Sequence, residues 1–495
     1  MMMERWRLYS HGWILPERLV NCLVLTALCL PQIIIAVYYL GLPVDFDVAV
    51  YLEGMPRWLR FTTLYSIHAV VRLCGPDPVI LRLLNLVVHC LAVFLTYLFL
   101  RRLTGRFFPA FFATLALSVW PCAAITLGFI SQIGQPILVS SLMAGMLLLR
   151  LRPDTPSLPR GAAAAGLALV ALFSWENGPI SLFCLPLVLL NTRHHRRIIL
   201  AGLITAGGGG LVMVIWPQLF HHLLESVHAL TVASTWRLLL AILERSGLLG
   251  GHWNPVIWVV ALSGIAAFFI PSVRRRLDLG IVLLLLGLSA VLFISGLIPL
   301  LFRVPVTDME KYTHIGAKHI YFMGYVMTFL LAAGLYIIDS AVRTEWRRRL
   351  MYGIAAVLIL LTFNRPILEG HRAVVQCFSL PFKAALEAVR PAIDRVPHHG
   401  HIHFRLAADF MADQPTRTVT RKRLEAYVTN LLKRRDVRLF LFQDPEATPP
   451  GYPPADLIVF GRSMTDFRIV PAPATVQDTM APARPDRPSR PLMVQ

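Results

Sequence analysis

The chain has 495 residues, of which 56% are hydrophobic and only 15% are charged, whereas soluble domains carry about 25% charged residues. Several apolar runs reach the roughly 20 residues needed to cross a bilayer. These values exclude an ordinary soluble protein and predict an all-α polytopic membrane protein. The seven cysteines are scattered without a CxxC pair, which excludes the usual zinc and redox spacings.

Apolar runs predict about eleven transmembrane helices, approximately at residues 19–40, 80–100, 107–127, 134–151, 161–174, 178–191, 198–218, 255–271, 279–302, 319–340 and 350–363. The first run is too long for a cleaved signal peptide and is interpreted as a retained span. Arginine clusters occupy alternate loops, namely 101–106, 150–160, 192–197, 274–276 and 343–349. By the positive-inside rule these loops and the N-terminus are cytoplasmic. Topology therefore explains most of the net charge of +19, and no nucleic-acid partner is predicted.

The chain divides into three predicted parts. Residues 1–363 form the transmembrane domain, and its main external loops are 41–79, 219–254 and 303–318. Residues 364–470 lack long apolar runs, while "HIHFRL", "VRLFLF" and "DLIVFG" have the content of short strands. They predict a small C-terminal α/β domain on the extracytoplasmic side. The Pro-rich residues 471–495 are predicted to be disordered.

Two polar patterns receive structural interpretations. In "HHGHIHF", His401 and His403 would share one face of a strand, but no carboxylate or cysteine spacing accompanies them. We interpret this stretch as a turn leading into a strand rather than a metal site. In the second predicted span, Arg82, Asn85 and His89 have helical spacing. They are interpreted as a buried polar face of the bundle.

Ionisable residues close to the outer membrane surface are the functional candidates. The first external loop carries Asp45 and Asp47 in "LPVDFDV", and the turn "SWENGP" carries Glu176. A carboxylate at this position can act as a general base on a hydroxyl group. Arginine and lysine can hold a phosphate leaving group, and the cationic candidates for that task are Arg60, Arg303, Lys311 and His314.

Beyond single residues, the order of several stretches resembles a known family. The acidic loop "VDFDVAVYLEGMPRWLRFTTLYSIHAVVRL" leads into "DPVILRLLNLVVHCLAVFLTYLFLRRLTGR". Then follow "FATLALSVWPCAAITLGFISQIGQPILVSSLMAGMLLLRL", "LFSWENGPISLFCLPLVLL" and "MEKYTHIGAKHIYFMG". Together they resemble membrane glycosyltransferases of the GT-C type, which include protein O-mannosyltransferase-like and aminoarabinose-transferase-like enzymes. The resemblance covers roughly residues 20–325.

The resemblance implies a GT-C-like fold and transfer of a sugar from a polyprenyl-phosphate donor to an extracytoplasmic acceptor, which could be a glycan, a lipid or a protein. In that family a carboxylate of the first external loop is the catalytic base. Carried over, the base is Asp45 or Asp47, with Glu176 as a supporting carboxylate. The expected location is a bacterial inner (plasma) membrane, and the expected partners are the polyprenyl-phosphate-linked sugar, the acceptor and membrane lipids.

The sequence also departs from the family pattern. Phe46 separates the two carboxylates, which are usually adjacent. Ser131, Gln132 and Gln135 stand where the family often has acidic groups, and Trp175 replaces a lysine. These departures leave open whether a divalent metal ion takes part. They also leave two alternatives, a transporter or flippase of lipid-linked glycans and a catalytically silent GT-C-like scaffold.

Overall fold

A computed structural model describes residues 17–40, 61–75, 77–120, 126–127, 130–150, 158–175, 177–190, 254–303, 321–342, 344–361, 379–407, 428, 432, 434, 436–442, 452–463 and 466–470. The chain separates into two compact units. The first contains residues 1–384 and 416–433, and the second contains residues 385–415 and 434–495.

The first unit is helical. Its helices are α1 (Glu17–Leu40), α2 (Phe61–Cys74), α3 (Pro78–Thr104), α4 (Phe107–Ser118), α5 (Gly134–Arg150), α6 (Leu158–Leu172), α7 (Gly178–Ser181), α8 (Cys184–Leu190), α9 (Asn254–Phe268), α10 (Pro271–Arg274), α11 (Leu279–Arg303), α12 (Tyr321–Ala341) and α13 (Glu345–Leu361). A short 3₁₀ turn at Ile130–Gln132 precedes α5. Helix α14 (Ser379–Asp394) runs from this unit into the second.

Four of the described helices are long and apolar enough to cross a membrane, at Leu19–Val37, Val79–Thr104, Leu279–Leu297 and Tyr321–Ala341. They coincide with predicted spans, so the expectation of an integral membrane protein with several crossings is supported. The apolar helices at the other described spans are shorter than 18 residues. The predicted span 198–218 lies outside the described residues. The total of about eleven crossings therefore stays a prediction.

The predicted span 178–191 contains a turn. Its described residues 178–190 form α7 and α8, which are separated at Leu182 and Phe183. Pro186 has no N–H to donate to the carbonyl of Leu182, so a continuous helix would lose that hydrogen bond. The Leu185 amide instead donates to Leu182 over 3.0 Å in a tight turn.

Helix α3 begins and ends on local signals. Asp77 accepts hydrogen bonds from the amides of Val79 (2.7 Å) and Ile80 (3.3 Å), and Pro78 occupies the first turn, where no amide donor is needed. At the other end Gly105 has φ of 67°, and its amide donates to Arg101 over 2.9 Å. This helix, which is long and apolar enough to cross a membrane, therefore has a capped start and a glycine stop.

Helices α3 and α12 organise the first unit. Helix α3 packs against α1, α4 and α5, while α12 packs against α4, α9 and α11. In the apolar window of α12, 89% of the residues are buried, compared with 50% for α3 and α11. Protein neighbours rather than lipid thus surround α12, and polar side chains on it meet protein partners.

At the end of α12 that the charge pattern predicts to be cytoplasmic, one buried carboxylate joins three segments. Asp339 is 6% exposed and pairs with Arg106 at 2.8 Å and Arg348 at 3.1 Å. The hydroxyl of Tyr352 donates to the same carboxylate over 3.2 Å. Since Arg106 precedes α4 and the other two residues lie on α13, this Asp339 cluster connects α4, α12 and α13.

Replacing Asp339 with asparagine should destabilise the first unit by about 2 kcal/mol. Removing one partner of a buried pair costs about 3–5 kcal/mol, and the partial exposure of both arginines reduces that figure. Thermal unfolding in detergent at pH 7 measures the loss. Because the partners interact, the double variant Asp339→Asn/Arg348→Gln should lose less than the sum of the single variants. A single variant as stable as the wild type would contradict the cluster's structural role.

The second unit contains a four-stranded sheet of β1 (His401–Leu406), β2 (Arg438–Phe442), β3 (Leu457–Ser463) and β4 (Asp466–Val470). The strand order is β2-β1-β3-β4, with β1 parallel to β2 and β3, and β4 antiparallel to β3. The three strands expected from the sequence are present as β1, β2 and β3. The fourth, β4, was not predicted. The extracytoplasmic location of this domain stays a prediction.

Arg434 closes the end of α14 within this second unit. Its guanidinium donates to the carbonyls of Ile393 (2.9 Å), Asp394 (3.0 Å) and Val396 (2.6 Å). It also binds both carboxylate oxygens of Asp436 at 3.0 Å, and this contact lowers the pKa of Asp436 to about 2. The last carbonyls of a helix lack partners within it, so Arg434 supplies donors that the backbone cannot.

Candidate functional site

The residues proposed from sequence lie mostly outside the described part of the chain. This holds for Asp45, Asp47, Arg60, Glu176, Lys311 and His314. Arg303 is the last residue of α11, and only its backbone is described. The described residues include the frame around Glu176 and the polar face of α3.

The turn that carries Glu176 is held from its N-terminal side by α2. The amide of Thr62 donates to the carbonyl of Phe173 over 3.0 Å. The hydroxyl of Thr63, which is fully buried, donates to the carbonyl of Ser174 over 2.5 Å. Helix α2 belongs to the same predicted external loop as Asp45 and Asp47, so these bonds connect that loop to the turn.

On the C-terminal side of Glu176, the turn is held by α11. The Asn177 amide group donates to the carbonyl of Ser295 over 2.8 Å, and the Ser295 hydroxyl donates back to the carbonyl of Asn177 over 3.0 Å. The hydroxyls of Ser181 and Ser295 share a further hydrogen bond of 2.7 Å. This reciprocal set fixes the backbone directly after Glu176.

Close packing fixes the same turn on a third side. Trp175 is buried, and a Cβ atom added to Gly134, the first residue of α5, would lie 2.8 Å from its ring. That Cβ would also overlap the Thr63 hydroxyl and the Ser174 carbonyl. Only glycine leaves room for the turn to approach α5 this closely. Three segments, α2, α5 and α11, thus surround the residues that flank Glu176.

The predicted polar face of α3 is confirmed as buried. Arg82, Asn85 and His89 are all 3% exposed or less. The Asn85 amide donates to the carbonyl of Thr126 over 2.8 Å. This bond links α3 to the segment between α4 and α5, so burial of Asn85 is compensated by a hydrogen bond.

His89 connects α3 to α12 through hydrogen bonds that involve two tyrosines. These tyrosines were not predicted from the sequence. Its Nδ1 and the hydroxyl of Tyr321 share a hydrogen bond of 2.8 Å, and the hydroxyls of Tyr321 and Tyr325 share another of 2.8 Å. All three side chains are buried. The available signal was the i,i+4 spacing of the tyrosines in "YFMGY", which places both on one helical face.

Two glutamines that precede or begin α5 bind each other. The Gln135 side chain donates to Gln132 over 2.7 Å, and both residues are buried. An amide pair is neutral and forms a hydrogen bond without a change of protonation. Among the described residues, the buried carboxylate is Asp339, at the opposite end of α12 from Tyr321. Among the described residues, the polar groups of this network can therefore position a substrate, but they include no carboxylate.

In the second unit, the side chain of His403 is buried against the neighbouring strand β2. Its ring packs against Phe440 at 5.3 Å and Phe442 at 4.9 Å between ring centroids. It is 1% exposed. No group of three or more metal-ligating side chains occurs among the residues that the structure describes. Burial first, and then the positive charge of Arg405, lower the pKa of His403.

Because its pKa is lowered on folding, His403 should make the second unit sensitive to acid. The unfolded chain takes up a proton near pH 6.5, and the folded one does so only at lower pH. Stability should therefore fall as the pH drops below about 6.5, by up to about 1.4 kcal/mol per pH unit. Hydrogen exchange of β1 and β3 amides, corrected for intrinsic rates, measures this slope. His403→Leu should flatten it.

His399 offers the matched control for that measurement. It is exposed and has a left-handed φ of 63°, a conformation that asparagine tolerates. His399→Asn removes an imidazole without loss of packing and should leave the slope unchanged. An unchanged slope in His403→Leu would show that the acid sensitivity arises elsewhere.

Comparisons with known proteins give a distant similarity in structure. A crystal structure of ArnT from Cupriavidus metallidurans bound to undecaprenyl phosphate is 13% identical, with 90% of this chain and 93% of that chain covered and a TM-score of 0.47. The apo structure of the same protein is 14% identical, with 89% and 93% covered and a TM-score of 0.47. No protein-family model matches this sequence. No curated protein matches it either.

Proposed function

We propose that this chain is an integral membrane glycosyltransferase of the GT-C type. It moves a sugar from a polyprenyl-phosphate donor to an acceptor on the extracytoplasmic side. The observation that carries the proposal is the frame around Glu176. Hydrogen bonds from Thr62, Thr63 and Ser295 and the close approach of Gly134 hold both flanks of this residue. Such fixation is what a catalytic carboxylate needs, since small displacements cost large factors in rate.

In the proposed reaction, Asp45 or Asp47 removes the proton from an acceptor hydroxyl. The oxygen then attacks the anomeric carbon of the sugar, and the bond between that carbon and the phosphate oxygen breaks. Polyprenyl phosphate leaves with the bonding electrons. Arg303 and Lys311, together with Arg60 and His314, hold its negative charge. Glu176 supports the acceptor or the base from its fixed turn.

Buried polar groups support this reading over a transporter. Arg82 and Asn85 lie within the first turns of α3, and Tyr321 and Tyr325 lie within the first turns of α12. The charge pattern predicts both of these helix ends to face outward. A transporter would instead place its polar site near the bilayer midplane, at broken helices. Polar groups at the outer ends suit a donor whose phosphate lies at the membrane surface.

A silent scaffold is the second candidate, and two observations favour it. The uncharged amides of Gln132 and Gln135 share a hydrogen bond, and buried Trp175 stands where the family has a lysine. Both features remove charge from positions that the resemblance would make functional. A protein that kept the fold without the reaction would show the same features.

The test uses purified full-length protein in detergent, where there is no second compartment and transport cannot consume a donor. Polyprenyl-phosphate sugars and envelope acceptors come from a strain that lacks this chain. Mass spectrometry should show loss of the lipid-linked sugar and an equal gain of free polyprenyl phosphate. The same strain should accumulate the lipid-linked sugar in its membranes.

The alternatives give different results in these two assays. A transporter would leave the donor intact in detergent, while the deletion strain still accumulated it. A silent scaffold would leave both measurements unchanged. Either result would overturn the proposed transferase activity.

A further inference from the structure

A large apolar groove lies between α9, α11 and α12, at the opposite ends of α11 and α12 from Ser295 and Tyr321. Its volume is about 490 Å³, which is within the range of sites for small molecules. All of the side chains that line it are aliphatic or aromatic apart from glycine, and they include Ala261, Gly264, Phe268, Leu283, Leu330 and Gly334. We call it the α9–α12 groove.

Glycines set how closely the walls of the α9–α12 groove approach each other. A Cβ atom on Gly264 would lie 3.2 Å from the Cα atom of Gly334, and one on Gly334 would lie 2.8 Å from a methyl group of Val260. Helices α9 and α12 therefore touch through their backbones at this point. The groove continues along the crossing, and wall residues Ile265 and Leu283 are 56% and 58% exposed. The groove is thus open on the side that a bilayer would cover.

Positive charge lies at one end of the α9–α12 groove. Arg274 is the last residue of α10, Arg275 and Arg276 follow it, and all three are exposed. The guanidinium carbon of Arg274 lies 5.8 Å from the ring centroid of Phe268, which lines the groove. The nearby carboxylate of Asp278 accepts a hydrogen bond from the Gly280 amide over 3.0 Å, as the cap of α11. Three arginines and one carboxylate that caps α11 thus lie at this end of the α9–α12 groove.

This combination matches one ligand chemistry, an anionic head group joined to acyl chains. Arginine binds phosphate oxygens through paired donors, and basic residues at a membrane surface attract anionic lipids. An apolar channel that ends at this basic turn can take an acyl chain while the phosphate meets the arginines. We propose that the α9–α12 groove binds an anionic phospholipid, with an acyl chain between α9 and α12 and its phosphate at Arg274–Arg276. The proposal does not depend on glycosyl transfer.

Another arginine cluster provides the matched control. Arg347 and Arg349 are exposed on the first turns of α13, and they have the same i,i+2 spacing as Arg274 and Arg276. They do not belong to the groove lining. The paired variants Arg274→Gln/Arg276→Gln and Arg347→Gln/Arg349→Gln therefore remove the same charge at different places.

Native mass spectrometry of the full-length protein in detergent, titrated with phosphatidylglycerol or phosphatidylethanolamine of identical acyl chains, tests the proposal. Phosphatidylglycerol should bind more tightly. Arg274→Gln/Arg276→Gln should weaken its binding about tenfold, while the α13 pair should change it less than twofold. Leu283→Trp, which fills the groove, should weaken binding of both lipids. Ile294→Trp, on an exposed part of α11 outside the lining, should not.

Several results would overturn the site. Both lipids carry a phosphate, so equal affinity for them would mean that the arginines do not select an anionic head group. Equal losses in both arginine pairs would mean that the effect is general surface charge. An unchanged Leu283→Trp would mean that no chain enters the groove. Lipid-independent dimers that Leu283→Trp disrupts would instead make the groove an interface between two copies of this chain.

Discussion

Sugar transfer should be abolished when Asp45 and Asp47 are both replaced with asparagine. Asparagine keeps the size of the side chain but cannot accept the proton of the acceptor hydroxyl. Loss of a general base lowers the rate by about 10²–10⁴. Single replacements then identify the base. Replacing the base should lower the transfer rate by that factor, and replacing its neighbour should lower the rate much less. The measurement is the gain of free polyprenyl phosphate from the lipid-linked sugar in detergent.

Asp77 provides the control for this experiment, since it belongs to the same predicted external loop. Its carboxylate caps α3 through Val79 and Ile80. Asparagine is an equally good capping residue, so Asp77→Asn should keep both folding and activity. Membrane insertion of every variant is checked by its yield and its monodispersity. Full activity of the double variant Asp45→Asn/Asp47→Asn would remove the catalytic role assigned to this loop.

The second large effect is expected from a single methyl group at Gly134. In Gly134→Ala the new Cβ overlaps the carbonyl of Ser174 and the hydroxyl of Thr63, and it presses on the ring of Trp175. The Ser174 carbonyl is backbone and cannot rotate away, so the turn that carries Glu176 has to move. A displacement of about 1 Å at a catalytic group costs roughly 10²-fold in rate. We therefore expect about that loss in donor consumption, with a lower unfolding temperature.

Two glycines of α6 give the matched comparison. A Cβ atom on Gly161 or on Gly166 would have no atom within 4 Å. Alanine is preferred over glycine inside a helix by about 1 kcal/mol, so Gly161→Ala and Gly166→Ala should be as stable as the wild type or more stable. Their activity should be unchanged. If Gly134→Ala also kept full activity, the fixed position of the turn would have no role in the reaction.

Features that depend on short stretches of sequence could be predicted. Asp77, Pro78 and Gly105 mark the two ends of α3 by their own backbone chemistry. The i,i+3 and i,i+4 spacing of Arg82, Asn85 and His89 was enough to predict a buried polar face. The break between α7 and α8 was missed although Pro186 marked it, because the surrounding residues are uniformly apolar. Strand β4 was missed because it is a short, mostly exposed edge strand.

Features that depend on distant pairs could not be predicted. The bond between His89 and Tyr321 joins residues 232 positions apart, and the one between Asn177 and Ser295 joins residues 118 apart. Neither partner carries a local signal for the other. The fit of Gly134 to Ser174 depends on the packing of α5 against the turn after α6. Asp45 and Asp47 were found by their charge near a membrane surface, and their positions relative to this frame stay a prediction.

The two ends of α12 are held by different kinds of bond. At Asp339 they are charged contacts to Arg106 and Arg348, whereas at Tyr321 the bond to His89 is a hydrogen bond of an uncharged hydroxyl. Charge-assisted hydrogen bonds are roughly twice as strong as neutral ones. Only Gly105 and Arg106 separate α3 from α4, so these helices form one hairpin. His89 and Arg106, which contact the two ends of α12, both belong to this hairpin. We therefore expect any separation of α12 from this hairpin to begin at Tyr321 rather than at Asp339.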